Sequence, residues 1–315
     1  MNGLLQKMPV LVLNPHNRCN CRCVMCDIWK RDSKEEISAQ QLEAQMESIG
    51  RLGVEWVVLT GGEPLMHSDL FRLCEPLRAR GIRLTLLSSG LLLERFASQI
   101  VRNFDDVIVS LDGPPAVHDR IRRVDGAFAR LQVGVAKLRA ADPEFPVAAR
   151  CTVQRDNAAW LLDTVAAARA LQLNSISFLA ADLTSDAFDH RPGATPDISP
   201  QPSDLHDQLE NIIATGECGK FVLESADKLR RIANGGRQMT SPLCNAPWVS
   251  AVVETDGTVR PCFFHRAIGR IDAGNTLFDV VNGPQAIAFR ATLDVAANPI
   301  CRQCVCSLNW QPAIQ

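Results

Sequence analysis

Three cysteines near the start of the chain, Cys19, Cys23 and Cys26, have the spacing C-x3-C-x2-C. A loop this short can hold three thiolates around one small metal centre. A structural zinc site takes four protein ligands, usually from two knuckles, so three cysteines leave one metal position without a protein ligand. In an iron–sulfur cube the same thiolates would leave one iron open. A redox C-x2-C pair or plain buried cysteines are the alternatives. We expect Cys21 to be a bystander, because C-x-C spacing brings its side chain too close to its neighbours on one loop.

A second group of cysteines lies near the end of the chain. Cys244 precedes and Cys262 follows a turn signal at Asp256-Gly257, and Cys301 and Cys304 form a later C-x2-C pair. If a hairpin brings its flanking cysteines to this pair, four thiolates form one site, which suits zinc or an iron–sulfur cluster. A zinc ribbon usually has two C-x2-C knuckles and this region has one, which favours the cluster.

Small and polar residues directly follow three other short apolar runs. These segments are Gly61-Gly62-Glu63-Pro64, Ser88-Ser89-Gly90 and Asp112-Gly113-Pro114. Glycine lets a backbone approach a ligand closely. If the runs are parallel strands, these residues meet at one sheet edge and line a pocket. Ordinary turn chemistry is the alternative, since Ser, Asp and Gly are common at strand ends.

The composition is that of a globular protein with metal-binding or catalytic cysteines. Of the 315 residues, 46% are hydrophobic, 22% are charged and 12 are cysteines. A chain of this length without an export signal builds a full core, so disulfides are not expected. The 33 basic and 35 acidic residues nearly balance, which argues against nucleic-acid binding. No apolar run approaches the ~20 residues of a membrane span, and we expect a cytoplasmic protein.

Short apolar runs alternate with longer helical patterns along most of the chain. The predicted strands are Pro9–Leu13, Glu55–Thr60, Ile82–Ser88, Asp106–Leu111, Val147–Val153 and Ser175–Ala180. The predicted helices are Ser38–Leu52, Ser68–Arg80, Leu93–Asn103, Gly126–Ala141, Asn157–Leu171 and Ser203–Thr215. The runs Val249–Glu254 and Thr258–Pro261 flank Asp256-Gly257 and predict a hairpin.

Six βα units in succession predict an α/β fold with parallel strands and right-handed crossovers. The strands are continuous apolar runs, as expected when both faces of the sheet are covered. A doubly wound sheet and a partial barrel both fit, and in either the working end is the carboxyl edge of the strands. Residues 182–202 follow the sixth strand without clear periodicity and predict either a lid or a solvated surface loop.

The motifs at the first two strand ends together resemble the radical S-adenosylmethionine (SAM) superfamily. They are Cys19-x3-Cys23-x2-Cys26 after the first strand and Gly61-Gly62-Glu63-Pro64 after the second. Ser110-Leu111-Asp112-Gly113 and His118-Asp119-x2-Arg122 are similar to segments of one branch of that superfamily. This branch contains the molybdenum-cofactor cyclase, the pyrroloquinoline-quinone maturase and the sulfatase maturases. The resemblance covers essentially the whole chain.

The fold of this superfamily is a partial (β/α)6 barrel, which matches the six units above. Two positions depart from its usual pattern. Met25 stands where the family usually has an aromatic residue, and Met supplies a similar soft apolar contact. Ser89-Gly90 stands where relatives often have Asn-Gly.

The resemblance implies a SAM site beside an N-terminal 4Fe–4S cluster held by Cys19, Cys23 and Cys26. The open iron would chelate the amino and carboxylate groups of SAM. Gly61, Gly62 and Glu63 would hold its ammonium group. Arg122 is the favoured partner of its carboxylate, because a guanidinium forks onto two oxygens, with Arg120 and Arg123 as alternatives. The remaining candidates, for ribose or carboxylate contacts, are Ser89, Ser110 and Asp112.

The C-terminal region resembles the auxiliary-cluster extension called SPASM, in its shortened "twitch" form. Gly257-x4-Cys262 and Cys301-x2-Cys304 match its signature. A full SPASM region has more cysteines and holds two clusters, whereas here only Cys306 remains. The resemblance therefore implies one auxiliary 4Fe–4S cluster on Cys244, Cys262, Cys301 and Cys304, with Cys306 as a spare or alternative ligand. Cys74, Cys151 and Cys218 are expected to be core residues.

The predicted fold is a partial barrel with a small cysteine-rich hairpin and helix extension. We expect the barrel core over residues 1–216, a linking helical segment over 217–241 and the auxiliary-cluster domain over 242–315. The implied activity is an oxidoreductase-type radical SAM reaction. A reduced cluster cleaves SAM to methionine and a 5′-deoxyadenosyl radical, which abstracts a substrate hydrogen. The electron would come from a reductase, flavodoxin or ferredoxin.

Two substrate classes fit this activity: a small metabolite or cofactor precursor, which is oxidised or rearranged, and a precursor peptide with a separate recognition protein. The first strand begins at Pro9, so we expect no fused peptide-recognition domain, which weakens the peptide alternative. The cyclase itself is disfavoured by the missing Gly-Gly tail. A third alternative is a non-catalytic metal-binding redox sensor. Such a protein would need neither Gly61–Glu63 nor Arg122, so the presence of these residues argues against it. No acid or base is assigned, and Asp182 and His190 are guesses.

Overall fold

The computed structural model describes residues 4–31, 35–182, 198–234, 244–304 and 310. Its strands are β1 Val10–Leu13, β2 Trp56–Leu59, β3 Arg83–Ser88, β4 Asp106–Ser110, β5 Val147–Val153, β6 Ser175–Ala180, β7 Ser250–Val253, β8 Thr258–Arg260 and β9 Gly269–Arg270. Its helices are α1 Ala39–Glu43, α2 Met46–Arg51, α3 Leu70–Ala79, α4 Leu93–Asn103, α5 Pro115–Arg122, α6 Ala127–Ala141, α7 Leu161–Ala170, α8 Pro202–Ala214, α9 Ala226–Ala233, α10 Ala246–Val249, α11 Leu277–Val281, α12 Pro284–Thr292 and α13 Pro299–Gln303.

All of these strands form one open sheet, in the order β6-β5-β4-β3-β2-β1-β7-β8-β9. The first six strands are parallel and run in chain order, which confirms the predicted α/β fold. β7 continues the sheet by pairing parallel with β1, and β8 and β9 add antiparallel strands. The predicted hairpin is therefore present, and it is joined directly to the barrel strands.

The two faces of the parallel strands have different surroundings. Leu84 and Leu86 of β3 and Cys151 of β5 are fully buried in the main hydrophobic core. Their neighbours Leu87 and Arg150 alternate with them and line a cavity on the interior side. Since side chains point to opposite faces along a strand, one face packs in the core and the other forms a chamber wall.

Two of the differences between the observed and the predicted helices lie between β1 and β5. The predicted helix Ser38–Leu52 is divided into α1 and α2, and at the break the Gln45 side chain accepts a hydrogen bond from the backbone N–H of Leu277. The helix α5 was not predicted, because Gly113-Pro114-Pro115 is typical of a turn. Here Pro115 occupies the first helical position, where a missing N–H costs no hydrogen bond.

The three scattered cysteines lie where the sequence predicts. Cys74 and Cys151 are buried in the main core, and Cys218 packs half-buried against it. The domain boundaries at 216 and 241 remain predictions. In the described ranges no helix is both long and apolar enough to cross a membrane.

Candidate functional site

The loop that follows β1 holds the N-terminal cysteines against the end of α5. The backbone N–H groups of Arg22 and Val24 donate to the carbonyls of Arg122 and Ile121, at 3.2 and 3.0 Å. Cys23 is buried, and Cys19 and Cys26 are half-buried. A second apolar cluster surrounds the loop, with Met25, Val117, Ile121 and Ile198 among its buried members. The three predicted ligands therefore belong to one largely buried cluster of side chains.

The thiols of this loop differ in their electrostatic environment. The hydrogen bond from Cys21 lowers the pKa of Cys19, and with the Arg122 charge it lowers the pKa of Cys23 to about 6. The same hydrogen bonds, together with burial, raise the pKa of Cys21. Burial raises the pKa of Cys26 to about 12 in the absence of a metal. The hydrogen bonds from Cys21 thus favour the thiolate forms of Cys19 and Cys23.

The glycines after β2 bring that strand end against the cysteine loop. A Cβ on Gly62 would lie 2.0 Å from the carbonyl oxygen of Arg18, and one on Gly61 would lie 2.9 Å from that of His16. Gly61 also has φ of 103°, which strongly favours glycine. The backbone N–H of Glu63 donates to the Arg18 carbonyl at 2.8 Å. These contacts make the two glycines packing residues of the loop, and their predicted role toward SAM stays a prediction.

Glu63 is fully buried beside the loop, and β3 and the residue after it supply most of its hydrogen bonds. Its carboxylate accepts bonds from Ser88 Oγ at 3.0 Å and from Ser89 N and Ser89 Oγ, both at 2.6 Å. Burial raises the pKa of Glu63, and these hydrogen bonds oppose the shift. Ser89 also contacts Asn20 of the cysteine loop, at 2.9 Å. The predicted Glu63 and Ser89 therefore belong to one hydrogen-bond network.

Arg122 connects the end of β4 to the cysteines. Its Nη2 lies 2.5 Å from Asp112 Oδ2, and its Nη1 lies 3.5 Å from Cys23 Sγ. Burial alone would lower the pKa of Arg122, but the Asp112 carboxylate raises it, so the guanidinium stays charged. Arg120 and Arg123 are exposed. Of the three arginines considered, Arg122 is the one that reaches the loop.

Three further residues near Asp112 were given no role by the sequence. His118 Nδ1 accepts the backbone N–H of Asp112 at 3.2 Å. Asn157 Nδ2 donates to the carbonyls of Asp112 and Thr152, both at 3.0 Å. Gln154 is fully buried, and its Nε2 lies 3.5 Å from Met25 Sδ. Only His118 lay in a recognisable motif, and a single Asn or Gln after a strand carries no sequence signal.

The residues present fit a SAM-binding iron–sulfur centre. Asn20 Nδ2, Arg122 Nε and Gln154 Oε1 are buried without a hydrogen-bond partner, as expected where a polar ligand is to be bound. Across the described residues, no three His, Cys, Asp or Glu side chains are arranged around a single metal ion. In a four-iron cube each thiolate binds a different iron, so that arrangement is not required.

The four C-terminal cysteines lie together on the interior side of the sheet. Cys244, Cys262, Cys301 and Cys304 all line one cavity of about 160 Å³, whose other wall is formed by β1 to β5 and β7. Burial raises the pKa values of Cys262 and Cys301 to about 11. The set of four thiols fits the predicted auxiliary cluster. Cys306 and His190 lie outside the described residues.

Two side chains that the sequence did not single out support this second group. His265 Nε2 lies 3.3 Å from Cys301 Sγ, and burial lowers the pKa of His265, so its ring is neutral. Arg231 Nη2, from α9, donates to the carbonyls of Arg302 and Cys304 at 3.3 and 2.9 Å. Arg231 thereby fixes the backbone of the C-x2-C pair.

Sequence comparison assigns both cysteine regions. The Radical SAM superfamily model matches residues 13–165, and the SPASM model, described as an iron-sulfur cluster-binding domain, matches residues 244–305. Together they cover more than half of the chain. The chain belongs to the radical SAM superfamily. It combines a SAM-dependent iron–sulfur domain with a SPASM domain that binds an auxiliary iron–sulfur cluster.

Individual relatives match less than half of this radical SAM chain. The pre-heme d1 synthase of Dinoroseobacter shibae is 35% identical over 131 residues, which are 40% of this chain and 32% of the relative. The Fe-coproporphyrin III synthase of Methanosarcina barkeri is 30% identical over 155 residues, 48% and 38% of the two chains. The match thus spans less than half of the length of these relatives.

Solved structures share the fold over almost the whole chain. SuiB of Streptococcus suis bound to SAM superposes with a TM-score of 0.73 at 15% identity, over 98% of this chain and 74% of SuiB. SuiB bound to its precursor peptide SuiA gives a TM-score of 0.72 at 15% identity, over 96% and 71%. At this level of identity the similarity establishes the fold alone.

Proposed function

We propose that this radical SAM enzyme cleaves SAM reductively and abstracts a hydrogen atom from a small metabolite or cofactor precursor. The observation that carries the proposal is the site at the carboxyl edge of the sheet. There Cys19, Cys23 and Cys26 lie on one largely buried loop, Arg122 Nη1 lies 3.5 Å from Cys23 Sγ, and Glu63 lies beside the loop. Cluster and SAM, when bound, supply a 5′-deoxyadenosyl radical from one external electron.

The chain's own residues would bind, orient and shield these groups. Cys19, Cys23 and Cys26 would ligate the cluster and leave one iron for SAM. Glu63 would draw the SAM ammonium group toward its buried carboxylate. Arg122, held in place by Asp112, would direct unused guanidinium N–H groups at the SAM carboxylate.

The C-terminal cysteines would hold one auxiliary 4Fe–4S cluster on the opposite wall of the chamber. Four protein thiolates leave no iron open, which favours electron transfer or structure over direct ligation of substrate. The cavity places Cys244, Cys262, Cys301 and Cys304 beside the interior wall of the sheet. An electron accepted there would make the net reaction an oxidation.

The sequence relatives favour a small-molecule substrate. Two of them are named for making a heme or iron-porphyrin product, at 30% identity or more. A peptide substrate is the second candidate, because SuiB, which shares the fold, was solved with its precursor peptide SuiA.

Anaerobic reconstitution tests the proposal directly. The protein should bind about eight irons, as two four-iron clusters require, and form 5′-deoxyadenosine with SAM and dithionite or a reduced flavodoxin. Cys23→Ala should abolish this product. Cys218→Ala, which changes a half-buried cysteine outside both groups, is the matched control. A folded, reconstituted protein with no iron and no 5′-deoxyadenosine would instead be a non-catalytic protein.

The substrate classes can be compared in the same assay. Fe-coproporphyrin III represents a tetrapyrrole, and a mixture of synthetic peptides represents the second class. A tenfold rise of 5′-deoxyadenosine formation above the substrate-free rate with the tetrapyrrole alone supports the small-molecule assignment. A rise with peptides alone overturns it.

A further inference from the structure

Arg150 is a positively charged side chain on the interior wall of the sheet. It lies in the middle of β5, between Ala149 and Cys151, both of which are buried on the opposite, core side. Arg150 alternates with them and lines the cavity that also contains the four C-terminal cysteines. Its guanidinium therefore belongs to the chamber that the four C-terminal cysteines line.

Among the described residues, no carboxylate forms an ion pair with this guanidinium. Within the described ranges Arg150 forms no ion pair, and its side-chain hydrogen bond is a long one, from Nε to Ser177 Oγ at 3.4 Å. Two other arginines of the sheet are paired, the exposed Arg83 and the half-buried Arg260. Arg83 lies 2.6 Å from Asp106, and Arg260 lies 2.5 Å from Glu254. Toward the described residues, Arg150 thus uses one of its five N–H donors.

The neighbours of Arg150 in the sheet are hydroxyl residues. The register places Ser110 of β4 directly beside it on one side and Ser177 of β6 on the other. Much of the remaining lining is aliphatic or aromatic, including Val58, Ile108 and Phe263. In the sheet the guanidinium of Arg150 therefore has a serine on either side, and Arg150 itself lines a largely apolar chamber.

We infer that Arg150, flanked by Ser110 and Ser177, binds a carboxylate group of the substrate. This inference rests on the proposed function and narrows its substrate to a carboxylic acid with an apolar body. A guanidinium pairs with a carboxylate through two parallel hydrogen bonds, which fix orientation as well as add affinity. The low-polarity chamber strengthens that charge interaction relative to water. The carboxylate would anchor the substrate beside the auxiliary cysteines.

Ligand binding to the reconstituted protein tests this without a known substrate. The probes are 3-phenylpropionate and its uncharged analogue 3-phenylpropanamide, with affinities measured by ligand-observed NMR titration. We expect the acid to bind wild-type protein at least tenfold more tightly than the amide. Arg150→Gln should remove this preference, and Arg150→Lys should retain part of it, because Lys keeps the charge without the fork. Arg102→Gln, an exposed arginine of α4, is the control that should behave as wild type.

The outcomes of this experiment distinguish failure of the carboxylate site from failure of the proposed function. Equal affinity of wild type for the acid and the amide overturns the inference without any substitution, so misfolding of a variant cannot decide the question. An acid preference that persists in Arg150→Gln also overturns it. The binding assay does not depend on SAM cleavage. An Arg150-dependent preference in a protein that never forms 5′-deoxyadenosine would therefore keep the carboxylate site and reject the proposed function.

Discussion

At the scale of single residues, Cys21 lies among the predicted cluster ligands but differs from Cys19 and Cys23 in its electrostatic environment. Its thiol is within hydrogen-bond reach of both Cys19 and Cys23, and these bonds raise its pKa while lowering theirs. A ligand must lose its proton to bind iron, whereas a thiol that donates its one hydrogen to a neighbouring thiolate keeps it. Cys21 is thus suited to support its neighbours.

We therefore expect Cys21→Ser and Cys23→Ser to differ sharply. Serine retains a hydroxyl donor at position 21, so Cys21→Ser should keep the iron content and form 5′-deoxyadenosine within about threefold of wild type. Cys23→Ser should lose about four irons and at least a hundredfold in product. Iron analysis and product quantification measure both variants in parallel. Equal losses would make Cys21 a ligand.

The sequence favoured Arg122 but did not exclude Arg120 and Arg123, because it did not predict the helix α5. Once α5 exists, its 3.6-residue period places His118 and Arg122 on one face, and both contact Asp112. Arg120 and Arg123 then point outward. The residue types indicated that an arginine of this segment contacts the site. The position on the helix shows that this arginine is Arg122.

At the scale of elements, the β2 end is fitted so closely to the cysteine loop that position 62 has no room for a side chain. Gly62→Ala would set a Cβ at 2.0 Å from the Arg18 carbonyl, a backbone atom next to Cys19. We expect a loss of about 2–4 kcal/mol in the free energy of unfolding and reduced iron binding. Chemical denaturation and iron analysis measure these effects.

The matched control is Gly50→Ala, in the exposed part of α2, where nothing lies within 4 Å of the added Cβ. Because alanine favours a helix over glycine, this change should be neutral or stabilising by up to about 1 kcal/mol. If Gly62→Ala had the same unfolding free energy and iron content as Gly50→Ala, the close contact between the β2 end and the cysteine loop would be contradicted.

The buried face of α5 predicts a pH dependence of stability. Burial lowers the pKa of His118 to about 3, whereas the unfolded chain has the ordinary value of 6.5. Between these values the unfolded state binds more protons, so the stability contributed by neutral His118 falls as the pH falls through this window. At pH 5.5 the loss is about 1 kcal/mol.

His118→Asn removes this titration while its amide oxygen still accepts the Asp112 N–H. We expect the difference in unfolding free energy between pH 7 and pH 5.5 to be smaller by about 1 kcal/mol in the variant than in wild type. Urea denaturation at the two pH values measures it. The same pH dependence in both proteins would show that His118 is not buried as a neutral ring.

At the scale of the whole molecule, the two cysteine regions share one sheet. The sequence predicted the six parallel strands, with β5 and β6 correct to the residue, and also the hairpin. It did not predict that β7 pairs with β1, because these strands are about 240 residues apart and no local sequence pattern specifies which strand pairs with an edge strand.

The C-terminal region also contacts β2, where the Trp310 ring lies 5.9 Å from that of Trp56.

This continuity gives the C-terminal region a structural role that is separable from its cluster. A chain shortened to residues 1–243 would expose β1, whose four residues are all apolar, as a new sheet edge. We expect the shortened chain to aggregate.

Full-length protein with Cys301→Ser and Cys304→Ser keeps β7, so it should remain monodisperse while binding about four irons fewer and still cleaving SAM. Size-exclusion chromatography with iron analysis compares the two. A monodisperse shortened chain would show that β1 does not need β7, and loss of SAM cleavage in the Cys301/Cys304 variant would show that the two clusters do not function separately.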